Sequence, residues 1–159
     1  MIGYRFEATG VYGCRFYKNG DIICSVSSAV MPSAPVLIFG NGIKWRSDFG
    51  DSTIVPGISR IVIDDSNGKE VFRIVYRGTG EYEINESVKV RCGAGEYAFY
   101  RDGSVIANID RINDKPNDLQ KMPDTYYDYE PCFEATADNG IQTELLTVIL
   151  AFPMLQFAL

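Results

Sequence analysis

Apolar and polar residues alternate with a period of two along most of the chain, the spacing of half-buried β-strands. Gly3 to Ala8 alternates weakly. Val11 to Lys18 leads into Asn19-Gly20, and Asp21 to Val26 leads out. Asn-Gly between two alternating runs is a strong hairpin signal, because both turn residues must take positive φ. Val30 to Pro35 is a proline-containing break; Val36 to Phe39, Asn41-Gly42 and Ile43 to Arg46 then repeat the hairpin pattern. Serine, aspartate, glycine and proline mark a loop from Ser47 to Gly57. Ile58 to Asp64, the turn Asp65-Ser66-Asn67-Gly68 and Glu70 to Arg77 follow, with Phe72, Ile74 and Tyr76 on one face. Gly78-Thr79-Gly80 turns the chain into Tyr82 and Ile84, which alternate with Glu81 and Glu83. Val88, Val90 and Cys92 alternate with Lys89 and Arg91, and Tyr97 to Arg101, Asp102-Gly103 and Ser104 to Ile109 form another hairpin. Asp110 to Asp124 is polar, holds two prolines and reads as an exposed loop. Tyr126 to Thr136 is a last strand, and Asp138 is placed to cap a helix.

The alternation stops at Ile141. From Leu145 to Leu159 only Thr147 and Gln156 are polar, and the apolar side chains fall on every side of a helix. Such a helix must be surrounded by protein or lipid. Fifteen residues reach roughly 22 Å at ~1.5 Å per residue, and a bilayer core needs about 20 residues. Pro153 also interrupts the segment, and no basic residue follows it. A core helix is therefore the commoner reading, and a tail anchor is its rival. Pro153 removes one helical hydrogen bond and should kink or end the helix near Phe152. Burial of about ten large side chains contributes on the order of 15–30 kcal/mol as an upper bound.

Ten or more short strands before one all-apolar helix point to a mainly β fold. A sheet closed on itself removes its edges and can hold an element inside it. The expected architecture is a closed antiparallel barrel of about twelve strands around a central hydrophobic C-terminal helix. A sandwich with a covering helix would use the same alternation. Residues 1–159 are read as a single domain, since this length fits one ordinary core. Phe16 to Ile23 echoes Phe99 to Ile106. Shared turn chemistry explains that echo more simply than a pseudo-repeat, and its spacing is too long for a solenoid.

Hydrophobic content of 46% and charged content of 23% are those of a globular chain. No basic-then-apolar segment leads it, so no secretory signal is expected and the location is read as cytoplasmic. A net charge of −6 argues against broad nucleic-acid binding, which needs a basic footprint. Histidine is absent, which removes Ser-His-Asp and Cys-His catalysis and histidine metal sites. Cys14, Cys24, Cys92 and Cys132 contain no CxxC pair, so an all-cysteine zinc site is not expected. With Lys18 opposite Asp21, regular counting puts Arg15 opposite Cys24. Cys14 and Cys24 then point to opposite faces, which disfavours a disulfide between them. Buried free thiols in a reducing compartment are the plainer reading.

The run Ile61-Val62-Ile63-Asp64-Asp65-Ser66-Asn67-Gly68-Lys69-Glu70-Val71-Phe72-Arg73-Ile74 resembles a strand, acidic-Gly turn and strand of the tubby C-terminal-like group. The likeness is nearer to its LURP-one-related and phospholipid-scramblase-like members. The serial hairpins, the strand Phe133 to Thr136, the turn Asp138-Asn139-Gly140 and the terminal apolar helix resemble the way those chains are built and end. The resemblance implies a twelve-stranded barrel around a hydrophobic helix. It also implies a phospholipid or membrane-surface role, since tubby-type members bind phosphoinositides through basic surface residues. No evident basic cluster matches that site.

Three function classes follow: a non-catalytic binding or regulatory module acting at a membrane surface or on phospholipid, a lipocalin-like carrier of a small apolar ligand, and an enzyme. A lumen filled by the helix excludes the carrier. Asp64-Asp65 sits at a turn, and Glu81 with Glu83 reads as a solvated face. With no positioned nucleophile–base pair, no catalytic residue, metal ligand or cofactor is expected. The binding residues and the partner are unknown from sequence. Lys44 and Arg46 flank Trp45 in a way that suits a membrane surface or polyanion, though an exposed strand with one packed Trp is the plainer reading. Tyr126, Tyr127 and Tyr129 among Asp124, Asp128 and Glu130 read as a half-buried strand with acidic neighbours, or as a partner-binding edge.

Overall fold

A computed structural model describes residues 1–9, 13–28, 36–48, 60–116 and 129–157. Twelve strands run in order: β1 (Ile2–Ala8), β2 (Gly13–Lys18), β3 (Asp21–Ser28), β4 (Val36–Gly40), β5 (Ile43–Asp48) and β6 (Arg60–Asp64). They continue as β7 (Glu70–Gly78), β8 (Glu81–Ile84), β9 (Val88–Cys92), β10 (Glu96–Arg101), β11 (Ser104–Pro116) and β12 (Tyr129–Ala137), before helix α1 (Thr143–Phe157). Each strand pairs antiparallel with its neighbours in sequence, and β1 closes the ring on β12 through Ile2–Ala137, Gly3–Thr136 and Tyr4–Ala135. This is the expected closed barrel.

The hairpins form where the turn chemistry allows. Asn19-Gly20, Asn41-Gly42 and Asp102-Gly103 all take positive φ at both positions, which matches the right-handed twist of the flanking strands. The longer turn after β6 is held by Asp65, whose Oδ1 accepts from the Asn67 and Lys69 amides at 2.9 and 3.0 Å. Asp65 therefore has the local structural task that its place at a turn implies.

Alternation then sorts the wall into two faces. On β9, Val88 and Val90 are buried while Lys89 and Arg91 are exposed. On β6, Ile61 and Ile63 are buried. About eight strands give a barrel interior that side chains just fill; twelve leave room for more, and α1 takes that space. Cys24 on β3 donates to the Thr147 carbonyl of α1 at 3.6 Å. From the other side, Tyr82 on β8 and Tyr97 and Phe99 on β10 set their rings 5.3, 5.9 and 5.6 Å from Phe152 in edge-to-face contact. β3 and β10 lie across the ring from each other, so the helix lies in the lumen. Val148 to Phe152, Met154 and Leu155 are all buried. The buried hydroxyl of Thr147 donates to the Thr143 carbonyl at 2.8 Å, leaving no polar demand on the wall.

Five expectations are corrected. Asp110 to Pro116 is strand, not loop: β11 continues to Pro116, pairing with β12 down to Pro116–Tyr129. Cross-strand pairing overrides the polar composition there. Asp138 does not cap the helix, because α1 starts only at Thr143; Asp138 instead ends the sheet, its amide donating to the Ile106 carbonyl. Gln142 holds the capping position, its carbonyl accepting from the Leu146 amide at 2.9 Å. Of the kink or end expected near Phe152, the end does not occur: the helix runs through Pro153 to Phe157. The apolar surroundings of α1 keep it helical past the one missing N–H.

The fourth correction concerns Cys14 and Cys24. The β2–β3 ladder pairs Lys18 with Asp21 and Tyr17 with Ile22, then shifts at a bulge so that Phe16 faces Cys24. Ile23 is the extra residue, and it returns Cys24 to the face of Phe16 and Cys14. Both thiols are buried inside the barrel, and both are free. Their diagonal offset, with Cys14 opposite Val26, explains why they stay apart: diagonal neighbours sit ≈ 7–8 Å apart. Ser47 and Asp48, expected to open a loop, belong to β5; the segment Val30 to Pro35, the rest of the expected loop to Gly57, and Tyr126 and Tyr127 lie outside the described residues.

Candidate functional site: the outer wall of the barrel

With the lumen taken by α1 and the sheet closed, the described residues offer their chemistry on the outside of the wall. Two stretches of that wall differ in kind.

Over β7, β8 and β9 the outward arginines are each paired with a glutamate. Arg77 pairs with Glu83 at 3.1 Å, Arg91 with Glu81 at 3.4 Å and Arg73 with Glu70 at 2.7 Å. Asn85 ties the β8–β9 turn to β7, its Oδ1 accepting from the Arg73 amide at 2.7 Å. A shallow hollow of about 300 Å³ lies over Glu70, Arg73, Val75, Arg77, Glu83, Asn85 and Glu86. Both of its arginines are already matched, by Glu70 and Glu83, so it reads as a solvated face. This is the role expected of Glu81 and Glu83.

Over β2 to β5 the residues segregate by strand. One cross-strand row runs Arg15, Ser25, Phe39, Lys44, and the next runs Ser27, Leu37, Arg46. Serines thus lie on β3, apolar groups on β4 and cations on β5. Leu37 and Phe39 are 40% and 36% exposed, and Ile22, opposite Tyr17 on the same outer side, is 43% exposed. Lys44 and Arg46 are exposed and form no ion pair among the described residues, although Asp64 sits opposite Arg46 in the ladder. Arg15 is loosely paired with Glu7 at 3.9 Å. Trp45, between the two cations in sequence, points inward, is buried, and packs 5.5 Å from Phe72. The packed-Trp reading of that strand holds.

Sequence reasoning missed Leu37 and Phe39. A signal was present: four consecutive apolar residues, Val36 to Phe39, lie on a strand flanked by alternating ones. A pleated strand with one buried face must expose every second residue of such a run.

The buried ionisable groups belong to the core. Burial pushes Cys14 up to about 12 and Cys92 up to about 11, and raises Cys24 well above its ordinary value. Tyr97 is pushed to about 12, chiefly by burial. None of these groups is held in a reactive state. Among the described residues no three cysteine or carboxylate side chains gather where an ion could be held.

The fold and wall define a closed antiparallel barrel with a helix in its lumen and, on its outer face, two exposed cations of β5 beside two exposed apolar residues of β4. Among known proteins, no family model, curated protein or solved structure matches the chain.

Proposed function

We propose that this domain is a non-catalytic binding or regulatory module that acts at a membrane surface, on phospholipid, in the cytoplasm. The observation that carries the reading is the distribution of charge. Residues 1–48 hold five cations and three acids, whereas the rest of the chain holds ten cations and eighteen acids. Strands β1 to β5 thus belong to a stretch with a small positive balance in an otherwise acidic chain, the sign that favours approach to an anionic surface. The resemblance to the tubby C-terminal-like group forms part of the proposal, and the barrel closed around a terminal helix supports it. Free thiols at Cys14, Cys24 and Cys92 support a reducing compartment.

The carrier and tail-anchor readings draw less support. α1 occupies the space an apolar ligand would need. Among the described residues no helix is long and apolar enough to cross a membrane. The test is flotation of the protein with vesicles of phosphatidylcholine alone and of phosphatidylcholine with phosphatidylserine. Binding confined to the anionic vesicles and weakened by salt is the expected result. Equal distribution in the presence and absence of either vesicle would overturn the reading.

A further inference from the structure

We infer that the outer face of β3, β4 and β5 is the surface by which the barrel lies on an anionic phospholipid bilayer. Leu37 and Phe39 enter the headgroup–acyl boundary, and Lys44 and Arg46 meet lipid phosphates beside them. The inference rests on the membrane-surface reading and adds the face, the inserting groups and the mode.

Geometry selects this face. Leu37 and Phe39 are two residues apart on one strand, about 7 Å, with Lys44 and Arg46 beside them on the next strand, about 4.8 Å away. Apolar groups and cations at one level are the arrangement that anchors peripheral proteins in an interface. Neither Lys44 nor Arg46 is ion-paired among the described residues, although Asp64 faces Arg46 from β6. The β7–β9 face would have to break three ion pairs before its arginines could meet phosphate. Ile112 is exposed, but it is the lone exposed large apolar residue described on β11, with no second one beside it.

Two features argue for a bilayer rather than a protein partner or a single headgroup. A stable protein interface covers about 800 Å² on each side around a packed apolar centre, and two half-exposed side chains on one strand do not supply that centre. A stereospecific headgroup site needs a concave cradle, whereas these rows lie along the outer wall of the barrel. The face is suited to a continuous sheet of negative charge.

The experiment is co-sedimentation with vesicles of phosphatidylcholine containing phosphatidylserine. Lys44→Gln with Arg46→Gln should weaken binding about fivefold for each charge removed. Lys89→Gln with Arg91→Gln, on β9, removes as much charge and should leave binding close to that of the wild type. Leu37→Ser with Phe39→Ser should weaken binding at least about tenfold. These side chains point outward, and an unchanged thermal transition verifies the fold. Phe39→Trp keeps an aromatic group in place and reads insertion directly. Its emission should shift to the blue on anionic vesicles and be quenched by brominated acyl chains, above the constant signal of buried Trp45. If the wild type binds these vesicles and the β5 and β4 variants bind equally well, or the new tryptophan stays in water, this face is rejected while the membrane reading stands. If the wild type binds no vesicle, both fall.

Discussion

Phe152→Ala tests the central claim of the fold, that α1 lies inside the ring of strands. Phe152 is 1% exposed and meets three rings from two strands, Tyr82 on β8 and Tyr97 and Phe99 on β10. Truncating a buried phenylalanine costs about 3–5 kcal/mol, from lost transfer energy and from the cavity left behind. Edge-to-face pairs contribute about 0.5–1.5 kcal/mol each beyond area, and losing three keeps this site from the lower end of that range, at about 4 kcal/mol. A domain stable by about 5–15 kcal/mol survives that loss with a cooperative transition. Equilibrium unfolding in urea measures it. With a slope of about 2 kcal/mol per molar, the midpoint should fall by about 2 M with the slope unchanged. Ile112→Ala, at an exposed position on β11, should shift stability by less than about 0.5 kcal/mol. A cycle with Phe99→Leu should show positive coupling, since the two rings touch. A loss below about 1 kcal/mol, or strict additivity with Phe99→Leu, would refute the placement of Phe152 among the rings of the wall.

Truncation before Ile141 removes the element against which the inward faces of the strands pack, and it should yield molten or aggregated protein. A sharp thermal transition in the truncated chain would reject the helix as core and promote it as an anchor. Alkali should weaken the fold through its lumen thiols. The folded pKa of Cys14 is about 12 against an ordinary 9.0, and Cys24 shifts in the same direction. The fold keeps these protons while the unfolded chain gives them up. The contribution of Cys14 is therefore complete below about pH 9 and falls as pH rises toward 12, by about 1.4 kcal/mol per pH unit, and Cys24 acts in the same direction. Urea midpoints at about pH 8 and pH 10.5 should fall less in Cys14→Ala than in the wild type, and equal falls would refute this account.

Much of the wall was legible because turn chemistry and alternation are local. Asn19-Gly20, Asn41-Gly42 and Asp102-Gly103 named three hairpins, and the strands on each side took their faces from period two. The terminal helix was legible from an absence: without a polar stripe, α1 had to be enclosed. Non-local causes hid the rest. Polar residues from Asp110 onward became strand because β12 lies alongside to pair them. Asp138 lost the capping task because β12 reaches Ala137 and the helix begins only at Thr143. The outer-face stripe was visible only in part, since Lys44 and Arg46 stood out by charge while Leu37 and Phe39 were hidden in an apolar run. Their adjacency depends on the β4–β5 register.

The bulge at Ile23 carries the most physical content of these misses, because one residue decides what faces in and what faces out. Regular pairing from Lys18–Asp21 would put Arg15, not Phe16, opposite Cys24 and turn Cys24 to the solvent side. The extra residue restores the phase, so that Cys24 and Val26 enter the lumen and Ser25 and Ser27 line the outer face. The echoing hairpin does the same with Ile106: Tyr100 pairs with Val105, and Phe99 then pairs with Ala107. The likeness between Phe16–Ile23 and Phe99–Ile106 therefore extends beyond the turn to a shared bulge. Deleting one residue from a regular strand sends every later side chain to the wrong face. Deleting Ile23 should not, because Phe16 and Cys24 are already in phase across it. The ΔIle23 chain should fold cooperatively, with a loss of about 1–2 kcal/mol from a half-buried isoleucine. ΔSer25, two positions on, should abolish the fold by driving Val26 outward and Ser27 inward. Thermal unfolding of the two single-residue deletions measures the difference, and comparable damage from both would mean that the bulge does not set the phase of β3.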